Sequence, residues 1–184
     1  MVSEPQVTFD SANVFGLDVL LNYVEGMKAA APSISRLLPF ATEASWSTGR
    51  WEVLEKYTSM APKESIEDFN IRVGQALLAL HKEKGQTMQF RSIIGSIREK
   101  IACSLSEPMT ASLADCHDTM LKLHVLTELE MIAGTNGSDD IDRTTVDRGK
   151  ILESLNRRIE VIGAYLNDKQ YLLGIRRAAM NLSA

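Results

Sequence analysis

The chain has 184 residues, 45% of them hydrophobic, and 20 lysines and arginines against 24 aspartates and glutamates, for a net charge of −4. That length and apolar content suit one globular domain or a short stack of helical repeats and exclude a disordered tail. The acidic balance argues against direct nucleic-acid binding and against an anionic membrane surface.

Charge is uneven: from Val146 to Ala184 seven basic residues face four acidic ones, so that end carries +3 and the remainder −7 of the total of −4. Such a split suits a solvated helix face, head-to-tail packing or an acidic partner. Only two cysteines occur, Cys103 and Cys116. With no basic, apolar leader at Met-Val-Ser-Glu-Pro and no apolar run near the roughly 20 residues that span a bilayer, the expectation is an intracellular, reducing compartment.

Apolar residues recur at helical spacing almost throughout, and no alternating strand pattern stands out. A first helix is expected over about Val14–Ala30, with Phe15, Val19, Leu20, Val24 and Met27 inward and Pro32 interrupting it. The second runs through Leu37, Leu38, Ala41, Ala44 and Ser45 and stops near Gly49, Ala41 and Ala44 giving a small face for close helix approach. Trp51, Leu54 and Tyr57 define a short third helix ending before Pro62. For the fourth, Ser65 is the expected cap with Asp68 three positions on, followed by the stripe Ile66, Phe69, Val73, Leu77 and Leu80, and by His81, Lys82, Lys84 and Gly85 at the end.

A fifth helix begins at about Thr87, buries Phe90, Ile94, Ile97 and Ile101, and ends around Ser106 ahead of Pro108. The sixth presents Leu113, Cys116, Met120, Leu123 and Thr127 on one side and Leu121, Val125, Leu126 and Leu129 on another, so neighbours should sandwich it. Residues 134–145, with Asn136-Gly137, read as an internal polar loop. Ile151, Leu155, Ile159, Ile162 and Leu166 mark the seventh helix. After a break at Asn167-Asp168, Tyr171, Leu172, Ile175, Ala179 and Leu182 mark the eighth.

Short connections force antiparallel neighbours, which gives an all-α fold: an irregular α-solenoid of antiparallel helical hairpins, TPR/HEAT-like, with about eight helices in a single region over 1–184. The Trp51, Leu54, Tyr57 spacing partly echoes the tetratricopeptide pattern, but Glu55 stands at its glycine and the tyrosine comes one position early.

Chemistry is sparse. Asp139, Asp140 and Asp142 invite comparison with magnesium-binding prenyl synthases, yet their spacing is wrong, they fall in a predicted loop and no second acidic motif answers them. Cys116, His117 and His124 share one helix without a second ligand pair for zinc. Nucleophile-elbow, phosphate-loop and kinase active-site motifs are absent; Asp68-Phe69-Asn70 is a helix start. No catalytic, metal or cofactor-binding residue is expected within the chain. Asn136-Gly137-Ser138 and Asn181-Leu182-Ser183 match glycosylation sequons that an intracellular protein would not use.

Glu43-Ala44-Ser45-Trp46 with Trp51-Glu52-Val53-Leu54-Glu55-Lys56-Tyr57, then Arg72-Val73-Gly74-Gln75-Ala76-Leu77-Leu78, then Leu123-His124-Val125-Leu126-Thr127-Glu128-Leu129-Glu130, and finally Leu172-Leu173-Gly174-Ile175-Arg176-Arg177-Ala178-Ala179 resemble, in this order, the FAT region of ATR-type checkpoint kinases, in a fungal-like form. The resemblance covers about residues 37–184. It implies a helical scaffold that frames the kinase domain of a large phosphatidylinositol-kinase-related protein kinase. The parent would phosphorylate serine or threonine with ATP and Mg in nuclear DNA-damage signalling, alongside an ATRIP-type partner. Kinase domain, C-terminal cap and long N-terminal repeats are lacking, so the chain reads as a fragment or truncated gene product. Its contacts would be with the parent's own kinase domain and neighbouring helical repeats.

The structural and interaction candidates are Trp46, Trp51, Tyr57, Glu128, Arg176 and Arg177. The two tryptophans should anchor a hairpin, and the two arginines should make inter-helix or kinase-facing contacts. The alternative is a free-standing helical-repeat adaptor holding a peptide or protein partner in a groove.

Overall fold

A computed structural model describes residues 6–26, 32–61, 68–83, 88–106, 113–134 and 141–182. Among the described residues the chain is all-α, with eight helices and no strand: α1 (Gln6–Gly26), α2 (Pro32–Ser47), α3 (Trp51–Met60), α4 (Phe69–Glu83), α5 (Met88–Ser106), α6 (Leu113–Gly134), α7 (Ile141–Val161) and α8 (Leu166–Leu182). This is the expected helical-repeat class. Contacts divide the chain into two compact units, Met1–Leu78 and Ala79–Ala184, with the boundary inside α4.

In the first unit α2 packs against both α1 and α3. Its core joins Leu21 and Val24 of α1, Leu38, Ala41 and Ala44 of α2, Tyr57 of α3 and Ile71 of α4. The two alanines are fully buried, so the small face on α2 is where its neighbours come close. Pro32 opens α2, where its missing N–H costs nothing. Pro39 lies within the same helix and removes a ladder bond there. Burial of Leu38, Ala41 and Ala44 on either side of it holds the helix together regardless.

The turn after α2 explains why Gly49 had to be glycine. Arg50 N–H donates to the Ser45 carbonyl (2.9 Å) and Gly49 N–H to that of Trp46 (3.3 Å), a Schellman closure with Gly49 at φ 72°. A side chain at that φ would be strained. Arg50 then starts α3 without a side-chain cap, its carbonyl accepting from Leu54 N–H at 3.0 Å.

α4 lies against α2 and α3 through Gly74. A Cβ there would sit 2.5 Å from Thr42 Cγ2 and 3.1 Å from Leu54 Cδ1, so only glycine permits this approach. The cap of α4 differs from expectation. Asp68 accepts from Asn70 N–H (2.8 Å) and Ile71 N–H (3.3 Å), so Asp68 itself caps α4.

In the second unit α6 is central, packing against α5, α7 and α8, as its two apolar sides require. Val125, Leu126 and Leu129 are fully buried, as are Phe90 and Ile94 of α5 within about a percent, Leu155 of α7, and Leu172, Ile175 and Ala179 of α8.

Several expectations are corrected. α1 begins at Gln6, ahead of the expected Val14, because the stretch from Gln6 to Asn13 contains no glycine or proline even though its apolar pattern is weak. Val19 faces solvent, since the buried stripe of α1 runs through Leu21 and Val24. Cys116 and Met120 are exposed, because burial on α6 is concentrated toward its C-terminal half. The expected 134–145 loop is helical at both ends, since α6 includes Gly134 and α7 starts at Ile141.

The break between the last two helices lies at Gly163, φ 71°, and not at Asn167-Asp168, which falls in the first turn of α8; Leu166 accordingly opens α8 and is exposed. Glycine tolerates that φ without cost, whereas Asp168 gains from the helix N-terminus. Ser65, Gly85, Asn136-Gly137, Asp139 and Asp140 lie outside the described residues.

Candidate functional site

A fully buried ionic group joins α6, α7 and α8. Arg176 Nε donates to Glu128 Oε2 at 2.5 Å, one terminal nitrogen donates to Glu128 Oε1 at 2.7 Å, and the same nitrogen reaches the Leu155 carbonyl at 2.5 Å. The Glu128 side chain is 0% exposed and that of Arg176 6%. A planar guanidinium satisfies both carboxylate oxygens and still has a donor for the backbone, which an ammonium could not match in this geometry. Desolvation makes such a pair costly to break and specific in register.

Next to it on α6 is a second polar contact. Arg158 of α7 donates to His124 Nδ1 at 3.2 Å, so the ring accepts there and carries its proton on Nε2. Burial first, and the Arg158 charge second, hold the His124 pKa below its usual value, while Glu128 pulls the other way. A third contact lies toward the start of α6: His117 Nε2 and Asp168 Oδ2 of α8 are 2.6 Å apart, with the Tyr165 ring centred 4.4 Å from the imidazole. Arg98 of α5 grips Glu130 through both nitrogens, at 3.1 and 2.8 Å. Every one of these contacts ties α6 to another helix, so Glu128, Glu130, His117 and His124 serve its packing, whereas Asp118 and Lys122 pair with each other along α6 itself.

In the first unit, Arg50 at the α2–α3 turn pairs with Asp18 of α1 at 2.8 Å. Asn70 of α4 donates to Glu43 of α2 at 3.3 Å, and burial raises the Glu43 pKa. Burial likewise raises that of Tyr57, with Glu25 adding to the rise and Arg50 opposing it.

Of the six candidates, the structure pairs Glu128 with Arg176. Arg177 is exposed. Trp46 is buried at the end of α2 and Tyr57 in the core, whereas Trp51, which heads α3, is half-buried. The Tyr57 hydroxyl has no hydrogen-bond partner among the described residues. His117 and His124, expected on one helix, each engage a different neighbouring helix, and Cys116 is exposed. Among the described residues no group of three His, Cys, Asp or Glu could hold a metal ion. The Arg98–Glu130 and Arg158–His124 contacts carry no local sequence signal, because their partners lie 32 and 34 residues apart.

Beside the Arg98–Glu130 pair is a cavity of about 260 Å³ lined by Phe90, Arg91, Glu130, Ala133 and Gly134. Its one carboxylate is already engaged by Arg98. No helix among the described residues is long and apolar enough to cross a membrane.

These features define a helical scaffold whose ionic side chains lock helices to one another. The family model of the FAT domain matches residues 38–184, and the chain belongs to that family. It is similar to protein kinase rad3 of Schizosaccharomyces pombe, with 25% identity over 141 residues, 76% of this chain. The chain spans about 5% of the length of that curated relative.

Proposed function

We propose that this chain is a non-catalytic scaffold segment of a serine/threonine protein kinase of the DNA-damage checkpoint, framing the kinase domain and mediating protein contacts. The observation that carries the reading is the FAT match over 38–184 together with similarity to a protein kinase. The interlocked helices suit the role: a frame must hold its geometry, and the buried Arg176–Glu128 pair fixes how α8 seats on α6.

In this reading the parent polypeptide uses ATP and Mg in a domain outside these residues, acts in the nucleus and works with an ATRIP-type partner. Trp46, Trp51 and Tyr57 stabilise one hairpin of the frame, and Arg177 belongs to its contact surface. Immunoprecipitation with an antibody raised against this segment tests the proposal. The expected catch is a very large polypeptide that phosphorylates serine or threonine peptides with Mg-ATP. Recovery of only a product the size of this chain, without kinase activity, overturns it.

A further inference from the structure

The two histidines of α6 meet partners of opposite sign. His117 lies 2.6 Å from a carboxylate, Asp168 of α8, whereas half-buried His124 lies 3.2 Å from a cation, Arg158 of α7. A guanidinium can only donate, so the Arg158 contact exists only while Nδ1 of His124 carries no proton. A proton there would set two donors and two positive charges against each other. The His117 contact has no such limit, because Nε2 can donate to the carboxylate from the neutral ring and from the imidazolium alike. Of the other charges on the packed helices, Glu128 favours a charged His124 ring, but both its oxygens are held by Arg176 of α8. Arg98 of α5 and Glu130 close on each other, Arg157 pairs with Glu153 along α7, and Lys150 and Glu160 of α7 are exposed.

We propose that His124 and Arg158 form an acid-sensitive latch between α6 and α7: protonation of the ring releases α7, while α8 stays seated on α6. Without the latch, α7 is held by buried Leu155 and by the bond from Arg176 to its carbonyl. α8 keeps its ionic contacts to Glu128 and His117 and the burial of Leu172, Ile175 and Ala179. Burial first, and the Arg158 charge second, lower the His124 pKa from 6.5, so the opened form takes up the proton more readily than the docked one. The latch is therefore fully closed above that value and loosens as pH falls below it. These contacts lie inside the chain and their test reads no kinase activity, so the latch and the scaffold reading can fail separately.

The test is hydrogen exchange followed by mass spectrometry on the full chain at about pH 7.5 and about pH 5.5, corrected for intrinsic exchange rates. Between the two, protection of the α7 amides around Leu155 and Arg158 should fall about threefold or more relative to that of α8. His124→Gln should abolish this difference, since its amide oxygen can accept from Arg158 at either pH. Arg158→Glu should shrink or reverse it, because a carboxylate holds the imidazolium; neither result can come from a variant that has merely unfolded. Loss of protection in α7 and α8 in step overturns the proposal, as does a difference that persists in His124→Gln or is undiminished in Arg158→Glu. So does an α7 that exchanges freely at the higher pH, since nothing would then be latched.

Discussion

Arg176 holds Glu128 by both carboxylate oxygens while also reaching the Leu155 carbonyl, so one side chain joins three helices at a fully buried point. Removing either partner alone leaves a charge stranded away from water. Arg176→Met or Glu128→Leu should each cost about 3 to 5 kcal/mol in unfolding free energy, whereas the double replacement should recover most of that loss. Arg176→Lys should also be destabilising, since an ammonium cannot supply the fork and the backbone bond together. Urea titration of the four proteins checks this. A double variant no better than either single one would mean that the pair is held by its surroundings and not by mutual compensation.

Gly74 sets how closely α4 approaches α2. An added Cβ would meet Thr42 Cγ2 at 2.5 Å, and Thr42 is fully buried with little room to yield. Alanine improves helix propensity by about 1 kcal/mol, but overpacking at a buried contact costs about 1 to 3 kcal/mol, so Gly74→Ala should be destabilising on balance. Thr42→Ser deletes the offending methyl and should rescue it. Thermal melts of the single and paired variants give the answer; stabilisation by Gly74→Ala alone would show that the helices separate at little cost.

The two tryptophans should behave differently despite their matched appearance in sequence. Trp46 is 2% exposed, and Trp46→Ala should cost about 3 to 5 kcal/mol, the range for a large buried aromatic. Trp51 is half-buried at the head of α3, so Trp51→Ala should cost clearly less. Chemical denaturation of both variants separates the cases, and equal losses would contradict the difference in burial.

Helix identity was legible because apolar residues such as Leu54 and Tyr57, or Leu172, Ile175 and Ala179, recur at the helical period, and because Gly49 announces a chain reversal. Boundaries set by competing local signals were less so. At the start of α8, Asn167-Asp168 looks like a breaker, yet Asp168 is drawn into the helix by its dipole and by His117, and the positive φ falls on Gly163 instead. Faces shifted for a related reason: periodicity shows that α1 and α6 have an apolar side but not how far the neighbouring helices cover it, so Val19 and Met120 emerged in solvent. Glu128 and Arg176 were identifiable as candidates, but their pairing across 48 residues depends on tertiary packing alone.

Two half-buried titrating groups should give opposite pH slopes. His124 is neutral in the fold, accepting from Arg158, and its pKa is lowered chiefly by burial and then by the Arg158 charge. The unfolded chain therefore takes up a proton more readily than the folded one. The stabilisation is complete above the ordinary value of 6.5 and is lost as pH falls below it. Glu43 is raised by burial from 4.5, so its contribution is present at acid pH and is lost as pH rises past that value. Hence His124→Gln should flatten the fall in stability between about pH 7 and pH 5. Glu43→Gln should stabilise the chain at neutral pH while retaining an acceptor for Asn70, an advantage that shrinks on acidification. Melting curves collected across this range decide both points. An unchanged slope in His124→Gln would place the proton uptake on another group, and a Glu43→Gln variant weaker than wild type at pH 7 would mean that the ionised carboxylate is better supported than its burial implies.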